Sequence, residues 1–273
     1  MNKLFTLISI GLVSVAYSQE EGDPDTTRLN FGNTEIIIVE KGKDKDDDPS
    51  EPGEVGEIGE PKEEKPKKEA HWAGVDFGFT MLMDGNLDNS FTNHPYWKND
   101  PARSQSWGLN VFEHKFNIAK HYVGVTTGLG FNFSSVAFRD DYLLSETADT
   151  LTAFVDSVNT YSKNKLKATY LTIPLLLEFN TNADASKSFY LSAGVIGGVR
   201  LTSKVKRIGE FEGKEFRQKD KGVYGLNSFK LDAAVRLGYS NWGLYANYSL
   251  LPLFDTQKTI EIYPLTFGLS YNF

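Results

Sequence analysis

Residues Phe229–Ser240 read Phe-Lys-Leu-Asp-Ala-Ala-Val-Arg-Leu-Gly-Tyr-Ser, and apolar and polar side chains alternate along most of this stretch. A β-strand directs successive side chains to opposite faces, so a period of two predicts a strand with one apolar and one polar face. The polar face carries Lys230, Asp232 and Arg236, which the core of a soluble β-sandwich would not accept. The pattern therefore favours a membrane barrel, with lipid on the apolar face and a polar interior on the other.

The same alternation recurs in seven further segments. The eight predicted strands lie at residues 72–83, 106–117, 123–135, 170–179, 189–201, 229–240, 242–250 and 261–273. Within 106–117 the phase changes near Phe112–Phe116, which indicates a β-bulge. In lipid every backbone group must be paired, so a spanning sheet has to close on itself. We therefore predict an all-β fold, a closed eight-stranded antiparallel transmembrane β-barrel.

The connections between the predicted strands alternate in length. Long connections lie at 84–105, 140–167, 203–227 and 252–259, and short ones at 118–121, 180–188 and 240–242. Outer-membrane barrels have long extracellular loops and short periplasmic turns in this alternation. Thr150–Val158 could form a surface hairpin that raises the count to ten, so eight and ten strands remain open. Aromatic residues at the strand ends are expected at the membrane interface; they are Trp72, Tyr122, Phe179, Phe189, Tyr239 and Trp242.

The N-terminus carries an export signal. Within residues 1–18, Lys3 precedes an apolar run, and Ala16-Tyr-Ser18 provides a small-residue cleavage site. This is the pattern of a secretory signal peptide, and the run is too short for a spanning helix. The chain contains no cysteine, so disulfides do not hold the exported fold together. We expect the mature protein in the outer membrane.

Residues 19–70 differ in composition from the rest of the chain. They contain 17 acidic and 8 basic residues, whereas residues 71–273 contain 19 acidic and 20 basic residues. The net charge of -7 of the whole chain therefore comes from residues 19–70. Glu, Lys, Pro and Gly dominate this segment, which predicts a disordered acidic linker in the periplasm before a barrel domain at 71–273. One part, Arg28–Val39, has strand-forming residues on both sides of a turn at Phe31–Thr34. This part is either a docking strand for a periplasmic partner or a remnant of the tail, and we favour the tail remnant.

The polar faces of the predicted strands carry six charged side chains of mixed sign. They are Asp76, Glu178, Arg200, Lys230, Asp232 and Arg236. Eight strands enclose an interior that side chains just fill, and an unpaired charge there would be costly. We therefore predict a paired charge network in a filled lumen.

Three stretches resemble a known family. The strand Tyr170-Leu-Thr-Ile-Pro-Leu-Leu-Leu-Glu-Phe179, the run Gly128–Phe133 and the C-terminal segment Tyr263–Phe273 resemble the porin-like outer membrane β-barrel domain family of Gram-negative bacteria, over residues 72–273. The resemblance implies the fold and membrane insertion but no settled activity. It also implies that Phe267, Tyr271 and Phe273 form the C-terminal signal that the barrel-assembly machinery reads.

The sequence offers little that points to catalysis. The four histidines (His71, His94, His114 and His121) have no metal-ligand spacing, so we expect no metal and no cofactor. Ser134 and Ser135 lie near the outer rim, but no histidine occupies the outer end of a neighbouring strand. A lipid hydrolase would need such a base, so we expect the protein not to be an enzyme.

The long loops suggest partners. Asn93–Lys98 is an aromatic cluster that either contacts a glycan or protein or, as we favour, packs on its own loop. Loop 203–227 is rich in lysine and arginine, which either attract lipopolysaccharide or, as we favour, are simply solvated. The expected partners are outer membrane lipid, lipopolysaccharide, the barrel-assembly machinery and a periplasmic partner of the acidic tail, with no nucleic acid. We expect a structural or surface-interaction role; the alternative is a narrow channel for ions or small solutes.

Overall fold

The computed structural model describes residues 26–31, 34–39, 70–139, 142–157, 159–211 and 213–273. The predicted signal peptide and most of the predicted linker lie outside these residues. The chain divides into two compact units, residues 1–62 and 63–273. Within the described ranges, no helix has the length and apolarity needed to cross a membrane.

The first unit contains a two-stranded hairpin. Strand β1 (Thr26–Phe31) pairs antiparallel with β2 (Thr34–Val39), and Phe31 lies opposite Thr34. The prediction of two short strands in this segment is therefore confirmed.

The second unit is an antiparallel all-β structure. Its strands are β3 (Gly74–Met83), β4 (Gln105–Ala119), β5 (Val123–Ala137), β6 (Tyr142–Glu146), β7 (Leu151–Val155), β8 (Thr160–Asn180), β9 (Phe189–Phe211), β10 (Lys214–Lys221), β11 (Phe229–Tyr239), β12 (Trp242–Ser249) and β13 (Tyr263–Asn272). Eight of them pair in the order β3-β4-β5-β8-β9-β11-β12-β13, and β13 pairs with β3 again. The backbone pairing thus runs around a complete ring of the eight predicted strands.

Burial alternates along the ring strands as the sequence predicts. On β8 the side chains of Ile173, Leu175 and Leu177 are exposed, whereas Leu176 and Glu178 are buried. The exposed faces of the ring strands are largely apolar, and the buried faces are largely polar or small. The register of β4 against β5 shifts between Asn110 and Phe112, which confirms the predicted bulge to within a few residues.

Three strands lie outside the ring, so the total strand number of this unit exceeds the predicted eight. The segment Thr150–Val158 supplies one strand, β7, which pairs with β6 as a separate two-stranded sheet. Among the described residues these two strands do not join the ring, so they do not raise it to ten. Strand β10 pairs with the far half of β9. The prediction of a loop at 203–227 is therefore wrong for most of its length, because β9 continues to Phe211 and β10 follows it. Strand β8 likewise begins well before the predicted Tyr170.

The connections fall at two ends of the ring. At the turn end they are short, at 120–122, 181–188 and 240–241; at the loop end they are long, at 84–104, 138–159, 212–228 and 250–262. Single turns of 3-10 helix occur at Pro95–Trp97, Pro101–Arg103 and Ala185–Lys187. This agrees with the predicted alternation of long and short connections.

The long connections pack together into an apolar cluster, here called the loop cap. It includes Phe91, Trp97, Leu144, Leu151, Leu226 and Phe254 from the connections, and Leu82, Leu166, Tyr170 and Val205 from the ring strands. Trp97 is fully buried, with its ring centroid 4.7 Å from that of Phe254. The Nδ1 atom of His94 lies 3.1 Å from the hydroxyl oxygen of Tyr96. The favoured interpretation of Asn93–Lys98 as a self-packed loop fits this arrangement.

Candidate functional site

The interior near the turn end is organised around Glu178. This residue lies on the buried face of β8, and its Oε2 accepts hydrogen bonds from the Thr126 hydroxyl at 3.0 Å and from the His71 backbone N–H at 3.2 Å. Its Oε1 lies 3.0 Å from His71 Nδ1 and 3.5 Å from Lys115 Nζ, and the Asn180 amide donates to it. A carboxylate without access to water is thus surrounded by donors from four parts of the chain.

His71 reaches Glu178 from the segment that precedes β3. Its Nε2 donates to the carbonyl oxygen of Ala185 at 3.0 Å, and its ring stacks on Tyr190 with centroids 3.8 Å apart. Residues 70–73 therefore enter the turn end of the ring and are held there by polar contacts and ring stacking. The backbone N–H groups of Trp72 and Ala73 both donate to Glu113 Oε2, at 2.7 and 2.6 Å.

Trp72 occupies the interior and not the membrane interface. Its side chain is 2% exposed and packs with Leu176, Ile196 and Ala234. The Arg236 guanidinium lies over its ring, 4.8 Å from the centroid. The prediction of Trp72 as an interface aromatic is therefore wrong, because the chain turns inward before β3 begins. The other five predicted interface aromatics are exposed; they are Tyr122, Phe179, Phe189, Tyr239 and Trp242.

Arg236 forms an ion pair across the interior. Its Nη2 contacts Asp76 Oδ2, although β11 and β3 are separated in the ring by β12 and β13. Asn110 donates a second hydrogen bond to the same carboxylate at 2.9 Å. The guanidinium also lies 5.6 Å from the centroid of the Tyr245 ring, and Arg236 is 1% exposed. Two distant strands are thus joined by a buried charged contact.

Of the remaining predicted interior charges, two form a local ion pair and the third contacts a hydroxyl group. Lys230 Nζ lies 2.9 Å from Asp232 Oδ2 on the same strand, and the Ser249 hydroxyl donates to Asp232 Oδ1 at 2.9 Å. Arg200 Nη1 donates to the Ser203 hydroxyl at 2.8 Å, but Arg200 is in none of the ion pairs among the described residues. Among the described residues, the six charges therefore fall into separate local contacts.

Two small cavities border the polar side chains of the ring interior. One cavity of about 20 Å³ is lined by Trp72, Asp76, Asn132, Asp232 and Asn247, among others. A second cavity of similar volume lies toward the loop cap and is lined by Ser106, Tyr170, Lys230, Ser249 and Thr266, among others. Each volume is close to what a single water molecule needs.

Sequence reasoning missed two side chains that hold Glu178. His71 lies before the first predicted strand, where a period of two gives no face, and its contact spans 107 residues. Lys115 follows the bulge in β4, which reverses the alternation of inward and outward side chains. Its inward position is predicted only if the alternation is corrected for that bulge. Knowing the position of the bulge would therefore have recovered Lys115 but not His71.

The residues considered for other chemistry are dispersed. Phe267, Tyr271 and Phe273, the predicted assembly signal, are exposed on or just after β13. Ser134 borders the upper cavity. Across the described residues, no group of three or more His, Cys, Asp and Glu side chains is arranged to hold a metal ion.

Comparison with known proteins gives a family and a distant structural likeness. Residues 68–257 match the family model described as outer membrane protein beta-barrel domain. The search of curated proteins found no match. Among solved structures, this chain is similar to Ail, the attachment invasion locus protein of Yersinia pestis, at 13% identity and a TM-score of 0.29. That alignment covers 74% of this chain and 99% of Ail.

Proposed function

Because this chain belongs to the outer membrane protein beta-barrel domain family, we propose that its ring is a closed barrel that spans the outer membrane, with a filled, non-conducting interior and a structural or surface-interaction role. On this proposal the loop end faces outward and the turn end faces the periplasm. The signal peptide at 1–18 and the acidic tail then precede the barrel on the periplasmic side. No catalytic step is assigned to it.

The exposed apolar faces of the ring strands support the membrane assignment. On β8 the outward side chains Leu171, Ile173, Leu175, Leu177 and Phe179 form a continuous apolar run. At about 3.3 Å per residue, such a run covers roughly the 25 Å apolar band of an outer-membrane barrel before strand tilt is considered. In water a band of this kind around the whole ring would aggregate, whereas lipid covers it.

The proposal that the barrel does not conduct ions rests on its obstructed interior. Trp72 and the Arg236–Asp76 pair lie inside the ring, and residues 70–73 enter from the turn end. The loop cap covers the interior at the other end. A buried ion pair that also packs on aromatic rings would have to be pulled apart before an ion could pass, and exposing a buried charge without its partner is strongly unfavourable.

The proposal is tested by reconstituting the full-length protein into lipid vesicles and measuring their osmotic swelling in small sugars and amino acids. Folding is checked by the shift in gel mobility on heating, and a general porin serves as the permeable control. We expect folded protein and vesicles as impermeable as protein-free ones. Permeation at a rate near that of the porin would establish the channel alternative instead.

A further inference from the structure

Strands β8 and β9 continue beyond the apolar band at the loop end, where β10 joins them. The outward side chains of β8 are apolar from Leu171 to Phe179. Toward the N-terminal end of the strand, before Thr169, the outward side chains are Lys167, Lys165 and Lys163. The far half of β9 and all of β10 pair beside this part of β8. An extension of the ring sheet, bordered by β5 as far as Ala137, therefore rises directly from the band that lipid is proposed to cover.

The strand register aligns cations in rows across this sheet. Lys167 of β8 lies opposite Lys204 of β9, which lies opposite Lys221 of β10. The next row is Lys165, Lys206 and Lys219. In the third row Lys163 and Arg217 flank Ile208. These seven lysines and one arginine are here called the lysine face.

A bulge in β9 brings the rows together on one face. Thr169 pairs with Thr202 and Tyr170 with Arg200, so Leu201 is the extra residue. Beyond it, Val205 turns into the loop cap, and the lysines on either side of it turn outward. Leu166 of β8 enters the cap beside Val205. One face of the sheet is thus fixed to the apolar cap, and the lysine face is left half-buried or exposed.

The lysine face is poorly neutralised by the protein itself. Within the part of the chain that the structure describes, none of its seven lysines forms an ion pair with a carboxylate, whereas Arg217 pairs with Glu215 toward the hairpin tip. Asp220 lies on the opposite face of β10 and pairs there with Arg207 at 2.9 Å. Like charges directly opposite each other on neighbouring strands destabilise a sheet.

The same repulsion adds to burial in lowering the pKa of two lysines. Burial first, and then the neighbouring cations Lys206 and Lys204, lower the pKa of Lys167. Burial and then Lys163 and Lys167 lower the pKa of Lys165, with Asp100 acting weakly in the opposite direction. An anion bound across the rows would relieve this repulsion.

We propose that the lysine face binds the phosphate groups of lipopolysaccharide in the outer leaflet of the membrane that holds the barrel. This inference rests on the proposed function, since it needs the loop end to face outward. The position of the lysine face favours a lipid over a soluble polyanion, because the lysines begin where the apolar band of the same strands ends. A phosphorylated glycolipid would lay its acyl chains on Leu171 and Ile173 and its phosphates on the rows above.

The spacing of the rows suits phosphate. Paired strands lie about 4.8 Å apart, and outward residues of one strand are about 6.6 Å apart. Several flexible lysine side chains can therefore reach one phosphate group. Charge-assisted hydrogen bonds from ammonium groups to phosphate oxygens are among the stronger polar contacts in proteins.

The test measures equilibrium binding of fluorescently labelled lipopolysaccharide to the full-length protein in uncharged detergent micelles. The variant K167Q/K204Q removes one directly opposed pair of the lysine face. The variant K120Q/K187Q removes the same charge from exposed positions at the turn end and is the matched control. Dephosphorylated lipopolysaccharide is measured in parallel, and heat-shifted gel mobility confirms that each variant is folded.

We expect K167Q/K204Q to weaken binding about tenfold or more, as loss of charge-assisted contacts would. Removal of the phosphates should weaken binding by a similar factor, whereas K120Q/K187Q should bind as the wild type does. Equal binding of phosphorylated and dephosphorylated lipid by the wild type would overturn the proposal without any variant. Displacement of the lipid by equimolar soluble sulfated polysaccharide would reassign the lysine face to a soluble polyanion. Either result leaves vesicle impermeability untouched, so failure of the lipid site and failure of the non-conducting barrel are distinguishable.

Discussion

The Nδ1 atom of His71 lies 3.0 Å from Oε1 of Glu178, although the two residues are 107 positions apart in the chain. His71 comes before the first ring strand, so this contact fixes the entry segment inside the turn end. Lys115 approaches the same carboxylate from β4. One buried acid thereby joins the entry segment, β4 and β8, and its partners determine how firmly this end of the ring is filled.

Replacing His71 with alanine should destabilise the barrel by about 2–4 kcal/mol, because Glu178 and the Ala185 carbonyl each lose a buried partner. Urea unfolding in detergent, followed by tryptophan fluorescence, measures the change. His121→Ala is the control, since this side chain is exposed in a turn and should change the free energy of unfolding by no more than about 0.5 kcal/mol. Equal effects of the two substitutions would show that the His71 contact does not hold the segment.

Arg236 and Asp76 should be energetically coupled. Arg236→Ala leaves a buried carboxylate without its cation and is expected to cost about 3–5 kcal/mol. In a double-mutant cycle, adding Asp76→Asn to Arg236→Ala should cost much less than Asp76→Asn costs in the wild type. The exposed Arg217–Glu215 pair provides the comparison, with an expected coupling of about 1 kcal/mol or less. Strict additivity at Arg236 and Asp76 would mean that the two charges do not interact across the interior.

Gly243 leaves room for the Tyr190 hydroxyl. A Cβ at this position would overlap that oxygen, so Gly243→Ala should destabilise the barrel by about 1–3 kcal/mol. Adding Tyr190→Phe should recover part of the loss, although it removes the hydrogen bond from Asn272. Gly197→Ala is the matched control, because the nearest atom to its Cβ would be 3.9 Å away. Melting temperatures of the four proteins check the ranking, which would be refuted if the alanine at 197 were the more harmful one.

The boundary of the dispensable tail should lie just before residue 70. Deleting residues 19–69 is expected to leave heat-shifted gel mobility and melting temperature nearly unchanged. Extending the deletion through residue 73 also removes the buried Ala70, His71 and Trp72, and should cost about 3 kcal/mol or more. If the shorter deletion already prevented folding, the acidic segment would be part of the fold and not a linker.

The ring was largely predictable from the sequence, whereas the contents of its interior were not. Alternation located all eight ring strands because the side-chain period is two wherever one face meets lipid. The same rule fails where no lipid is present. In the lysine-rich part of β9, Val205 packs into the loop cap between the outward Lys204 and Lys206. The sequence predicts a loop over this part and β10 because their outward faces are charged.

The interior contacts depend on long-range geometry that periodicity does not encode. Asp76, Glu178, Asp232 and Arg236 were correctly placed on inward faces, since each is buried. Which charge meets which depends on strand stagger and on the bulge in β4, so the Arg236–Asp76 pair was not specified beforehand. Trp72 was misassigned because an aromatic at a strand end is usual at a membrane interface, and only the inward path of residues 70–73 distinguishes it.

Single-channel recording tests the filled interior most directly. The full-length protein is inserted into a planar bilayer, and insertion is verified by protease protection of the reconstituted barrel. The account predicts no steady openings from the wild type over the voltage range in which a general porin conducts. Reproducible openings whose conductance changes when Arg236 or Asp232 is neutralised would contradict it, because ions would then be passing the very charges that are proposed to fill the barrel.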